Sequence, residues 1–88
     1  MSEMAIVVVE RIFPEPVDLA RFRAAVKDNS SCMDLHQVRY LRGYLSSDRL
    51  RMVCLFEAPD AESVRIANRQ VGMPYERIWT ATIHEPSK

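Results

Sequence analysis

Glu10, His36 and Glu57 are the side chains of this sequence whose lone pairs suit a divalent ion or proton transfer. Each carboxylate follows an apolar run, Ala5-Ile6-Val7-Val8-Val9 before Glu10 and Met52-Val53-Cys54-Leu55-Phe56 before Glu57. If those runs are neighbouring strands, both carboxylates reach one rim, where unequal surroundings would separate their pKa values and divide acid and base roles. The same pair with the imidazole of His36, near the end of a helical segment, makes a three-donor set for a borderline cation. Against this, strand-end carboxylates ordinarily face water, and a histidine at a helix end ordinarily serves the dipole. His84 lies in the tail beyond the last strand. No nucleophile, base and orienting group stand together, so the sequence names no catalytic residue.

Tyr40, Tyr44, Tyr75 and Trp79 join apolar area to a polar atom and suit either a small-ligand pocket or the seam of a dimer. Arg39, Arg42, Arg49 and Arg51 gather around one predicted hairpin, as solvated strand ends or as a local anion site. Overall charge excludes more than it suggests. Twelve Lys and Arg balance twelve Asp and Glu, leaving no global field to hold a nucleic-acid backbone. Cys32 and Cys54 are too few for a disulfide scaffold and lack zinc spacing, which fits a reducing compartment. Cys54, inside an apolar run, reads as a buried and unreactive thiol. The N-terminal residues carry no basic region, and Ala5 to Val9 is too short to span a membrane, so a cytoplasmic protein is expected.

These residues must be positioned by one domain. Eighty-eight residues cannot support two cores, so residues 1–88 are read as one unit with its core at about 5–83 and short flexible ends. The β-branched run Ala5 to Val9, closed by Glu10-Arg11, reads as a central strand covered on both faces. Pro14 and Pro16 break extension, and Asp18 caps a helix whose Leu19, Phe22, Ala25, Val26 and Met33 recur at helical spacing. Asn29-Ser30-Ser31 is expected to interrupt that helix before it resumes from Met33 to His36. Val38 to Ser46 and Arg49 to Glu57 read as a hairpin turning at Ser47-Asp48. Asp60 caps a second helix with Ala61, Val64, Ala67 and Val71 on one face, and Gly72 stops it. Ile78 to Ile83 is the last strand, with Trp79 and Ala81 on one side and Ile78 and Thr80 on the other.

Strand, helix, strand, strand, helix, strand is the α+β order of a ferredoxin-like β-α-β-β-α-β sandwich. Its helices cover one sheet face while the strands are apolar on both. A second copy is the natural cover, so a homodimer is expected, with two sheets pairing into a dimeric α+β barrel.

Val9-Glu10-Arg11, Arg42-Gly43-Tyr44-Leu45-Ser46-Ser47-Asp48, the stretch from Val53 to Val64 containing Cys54 and Glu57-Ala58-Pro59-Asp60-Ala61, and Val71-Gly72-Met73-Pro74 together resemble a bacterial domain-of-unknown-function family. Its representatives include a small nickel-binding protein of ferredoxin-like fold. The resemblance spans about Ala5 to Ile83 and implies a dimeric sandwich that allows divalent nickel. In metal-binding relatives histidines occur after strand one and in the Gly-x-Pro segment. Here Glu10, Arg11 and Met73 stand at the matching places. Arginine offers no lone pair and a thioether is a poor partner for a borderline ion, so weak or altered nickel binding is expected. The reading that follows is a homodimeric small-ligand or metal-binding protein without turnover. A small dimeric oxygenase or isomerase on the same fold is the enzymatic alternative, and a purely structural interaction protein with a dry interface is the third.

Overall fold

The structure, a computed structural model, describes residues 4–28 and 36–86. Six elements follow in the order β1 (Ala5–Ile12), α1 (Leu19–Asp28), β2 (Arg39–Leu45), β3 (Arg51–Ala58), α2 (Ala61–Val71) and β4 (Arg77–Ala81). The strands form one open antiparallel sheet in the order β2-β3-β1-β4. This is the ferredoxin-like sandwich that the element order predicts.

Alternation along β1 decides the two layers, because successive side chains leave a strand on opposite faces. Val7 and Val9 are fully buried and stand opposite Phe56 and Cys54 of β3. Arg11 continues their parity, opposite Met52, and only 1% of it is exposed. The charged pair Glu10-Arg11 therefore does not end the strand. β1 runs on to Ile12, and its last buried position is a guanidinium. Ile6, Val8 and Glu10 take the other face with Val53, Leu55 and Glu57 of β3, so helices cover β1 on one side only.

The helices form where the sequence caps them. Asp18 accepts from the backbone amides of Ala20 and Arg21 at 3.0 and 3.3 Å, opening α1. Phe22 and Val26 of α1 pack against the core, although no residue of this helix is fully buried. Asp60 accepts from the Ser63 amide and hydroxyl, each at 2.8 Å, and Gly72 closes α2 in the left-handed conformation at φ 70°. Val64, Ala67 and Asn68 form the buried face of α2. The expected interruption at Asn29-Ser30-Ser31 and the resumption from Met33 lie outside the described residues, and His36 occupies a turn ahead of β2.

No glycine serves the β2–β3 turn. Arg49 supplies the left-handed residue at φ 61°, and side-chain bonds offset the strain. Asp48 accepts from the Ser46 hydroxyl at 2.6 Å and from the Leu50 amide at 3.0 Å.

The caps carry a pH dependence. The Ser63 amide, and next its hydroxyl, hold the Asp60 carboxyl below the ordinary aspartate range. A depressed carboxyl contributes stability above its unfolded pKa and loses that contribution as pH falls through its folded value. Asp60→Ala should therefore lower Tm at neutral pH, and the difference from the parent should shrink as pH falls through the acid range and the parent carboxyl becomes protonated as well. Thermal melts of both proteins across that range measure it, and a constant difference would refute the assignment.

Candidate functional site

The three candidate metal donors do not meet. Glu10 opposes Val53 and Glu57 opposes Ile6, so antiparallel pairing sets the carboxylates four positions apart on one ladder, about 13 Å at the usual rise. Neighbouring strands separate them because the strands run in opposite directions. The Trp79 indole donates to Glu10 Oε2 at 2.7 Å, and Glu57 stands 3.9 Å from Arg39. His36 Nε2 lies 2.9 Å from Gln70 Oε1, in the last turn of α2. Among the described residues no three His, Cys, Asp or Glu side chains are placed to share an ion. His84 Nε2 is 2.6 Å from Thr82 Oγ1 in the tail, and Cys32 lies outside the described residues.

The four aromatic candidates divide between the two sheet faces, and a bulge in β2 is the cause. Tyr40 opposes Phe56 and Arg42 opposes Leu55, so Leu41 is an extra residue that resets the alternation. Tyr40 thereby shares the helix side with Phe56, its ring 5.5 Å away edge to face, while Tyr44 opposes Val53 on the open side. Tyr75 packs against the core. Trp79, opposite Val8, and Tyr44 remain 47% and 58% exposed on the open face. Arg39, Arg42, Arg49 and Arg51 are all exposed and spread along the hairpin.

Arg11 is the principal buried polar group, and the parity of Val7, Val9 and Arg11 was the signal for it. Its guanidinium donates from one nitrogen to Asn68 Oδ1 and from another to the Pro74 carbonyl, both at 2.8 Å. Asn68 in turn donates to the Val64 carbonyl at 2.8 Å. The Phe22 ring lies 5.7 Å from the guanidinium carbon, within cation–π range. Nε of Arg11 is buried without a hydrogen-bond partner, and no described carboxylate lies within ion-pair distance of the group. Burial pushes the Cys54 thiol pKa up while the Arg11 charge partly opposes that rise. A neutral, buried thiol is a poor nucleophile, so Cys54 reads as core.

A cleft of about 380 Å³ opens between α1 and the sheet. Phe22 and Val26 form its helix wall, and Tyr40, Leu45 and Met52 its sheet wall. Arg23 and Lys27, one helical turn apart, are the charged residues of the lining. Gly43 also lines the cleft. A Cβ built there would fall 2.7 Å from Met52 Cε and closer still to Tyr40 Oη, so only a hydrogen fits between them.

Fold and site define a small ferredoxin-like α+β protein whose interior polar chemistry centres on one guanidinium beside an apolar cleft. The chain belongs to the SCO4226-like family, described as nickel responsive protein SCO4226-like, whose profile matches residues 8–80. Its structure is similar to the crystal structure of SCO4226 from Streptomyces coelicolor A3(2), with a TM-score of 0.80 at 15% identity, covering 92% of this chain and 100% of that one. At that identity the likeness establishes a shared fold. No curated protein matches the chain.

The Arg11–Asn68 contact makes an asymmetric prediction. Asn68→Ala removes an acceptor from a buried charge and should cost on the order of 2–3 kcal/mol in urea unfolding. Arg11→Met also removes the charge itself and should cost less, roughly 1 kcal/mol. The double variant should fall well short of the sum. Additive losses would mean that the two side chains are not coupled.

Proposed function

We propose that this protein is a homodimeric, small-ligand-binding member of its family, without turnover, in which the relatives' nickel site has been altered. The cleft between α1 and the sheet carries the reading, since a concave apolar space with a few polar groups is the usual form of a small-molecule site. Its walls hold no described nucleophile and base in contact. Cys54, the thiol among the described residues, is kept neutral by burial.

The metal part rests on donor chemistry. The relatives' histidines belong to the segments that here contain Arg11 and Met73-Pro74, and Arg11 donates to the Pro74 carbonyl. Those two segments are thus in contact, but a permanent cation joins them. A guanidinium has no lone pair to give and repels a divalent ion at close range. The described residues do not fit nickel. Titration calorimetry with nickel should show no tight event, and a one-to-one complex with Kd below about 1 µM would overturn this part.

The open sheet face supports the dimer. Ile6, Val53 and Leu55 are half-buried there, with Tyr44 and Trp79 exposed beside them. Four strands at the usual spacing present a face of roughly 15 by 25 Å, smaller than the roughly 800 Å² per partner of a standard stable interface, so the association is expected to be weak, in the micromolar range. Sedimentation should find two copies, and Leu55→Lys should give a folded monomer. A parent protein that stays monomeric from about 1 to 100 µM would refute the assembly. For the whole reading, native mass spectrometry of untagged protein should show two copies retaining an organic mass. Two copies with stoichiometric nickel and no organic mass would refute it.

A further inference from the structure

We infer that the cleft between α1 and the sheet is selective for a small organic anion with an aromatic or branched apolar body. This rests on the cleft being a ligand site and adds the charge of what it takes.

Three observations converge on a negative ligand. First, the charged side chains of the lining are both cations, Arg23 and Lys27, and the lining has no carboxylate. Residues four apart on a helix lie on one face, so these two charges stand together at the edge of the stripe that contains Phe22 and Val26. Neither forms an ion pair with a described carboxylate. Second, the buried charge of Arg11 stands behind the same wall. Its guanidinium lies over Phe22, which lines the cleft, and it is compensated by neutral oxygens alone. Third, Tyr40 joins the two. Burial raises its phenol pKa and Cys54 adds to the rise, while Arg11 and Arg23 both act against it, so both cations lie within electrostatic reach of its hydroxyl.

A positive potential from three fixed charges, in a cleft with apolar walls and a reduced local dielectric, favours an anion and disfavours a cation. The Phe22, Leu45 and Met52 surfaces accept the apolar body, and Arg23 and Lys27 accept its carboxylate or sulfonate as charge-assisted partners. Tyr40 Oη adds a neutral donor. The same charges would exclude a metal ion from this cleft, so ligand selectivity is opposite in sign to that of a nickel site.

Two fluorescent probes of similar body separate charge from shape: 8-anilinonaphthalene-1-sulfonate, an anion, and N-phenyl-1-naphthylamine, its neutral counterpart. With the full chain, both should bind. 3-Phenylpropionate should displace the sulfonate probe at least about tenfold more effectively than 3-phenylpropionamide, a difference equivalent to one paired charge. The double variant Arg23→Glu, Lys27→Glu should weaken the sulfonate probe by about tenfold or more and leave the neutral probe within about twofold. Val26→Trp, which fills the cleft, should weaken both. If the amide and the acid displace equally and charge reversal has no effect, while Val26→Trp still blocks both probes, the anion inference is overturned and the cleft stands. If a folded Val26→Trp protein binds both probes as the parent does, the cleft itself is not the site. The displacement comparison uses the unmodified chain, so it decides the charge question even where a variant fails to fold.

Discussion

A guanidinium keeps its charge at every physiological pH, so a core that encloses one must be organised around it. Arg11 lies in such a core, and each of its contacts comes from a different part of the chain. Asn68 reaches it from α2, Pro74 from the segment that follows, and Phe22 from α1. One side chain on β1 thereby ties both helices and the loop before β4 to the sheet. Removing charge from water costs several kcal/mol even after relaxation, and two neutral oxygens return only part of that. The domain therefore retains an interior positive potential, and the neutral state of Cys54 and the character of the adjoining cleft both have to be understood within it.

The sheet separates this polar interior from a different surface. On the helix side, Val7, Val9, Phe56 and Cys54 are packed to exclusion of solvent. On the other side, apolar residues of the central strands lie beside exposed Tyr44 and Trp79, with Glu10 and Glu57 at opposite ends. Those carboxylates have ordinary structural partners, an indole and an arginine, and border the apolar strip. Residues that suggest acid–base chemistry in one dimension thus frame a surface in three.

Element order, both helix caps, the Gly72 stop and the β3 alternation were legible because each depends on residues near in sequence. Asp60 and Ser63 are three positions apart, and Gly72 needs nothing but its own freedom of φ. What escaped depends on distant partners. Arg11 looked like the end of a strand because the donors' acceptors, Asn68 and Pro74, lie more than fifty positions away. Alternation from Val7 through Val9 did point inward, but a charge outweighs parity unless its partners are known. Glu10 and Glu57 were placed on a common rim because strand direction was left out of that step. The cleft was invisible for a different reason: it is made by what α1 leaves unfilled against the sheet.

The extra residue in β2 has a consequence for reading relatives of this chain. Leu41 shifts the phase of the strand by one, and with it the face on which the Tyr40 ring appears. A related sequence one residue shorter at this place would keep its ring opposite the same β3 position, whereas one of equal length paired without the bulge would turn the ring to the outer surface and leave the cleft without its sheet-side hydroxyl. Pairing register in this strand is therefore a marker of how the cleft is lined that residue identity alone does not carry. Two relatives of equal length, one bulged here and one paired regularly, would have tyrosines that look equivalent on paper and serve opposite sides of the molecule.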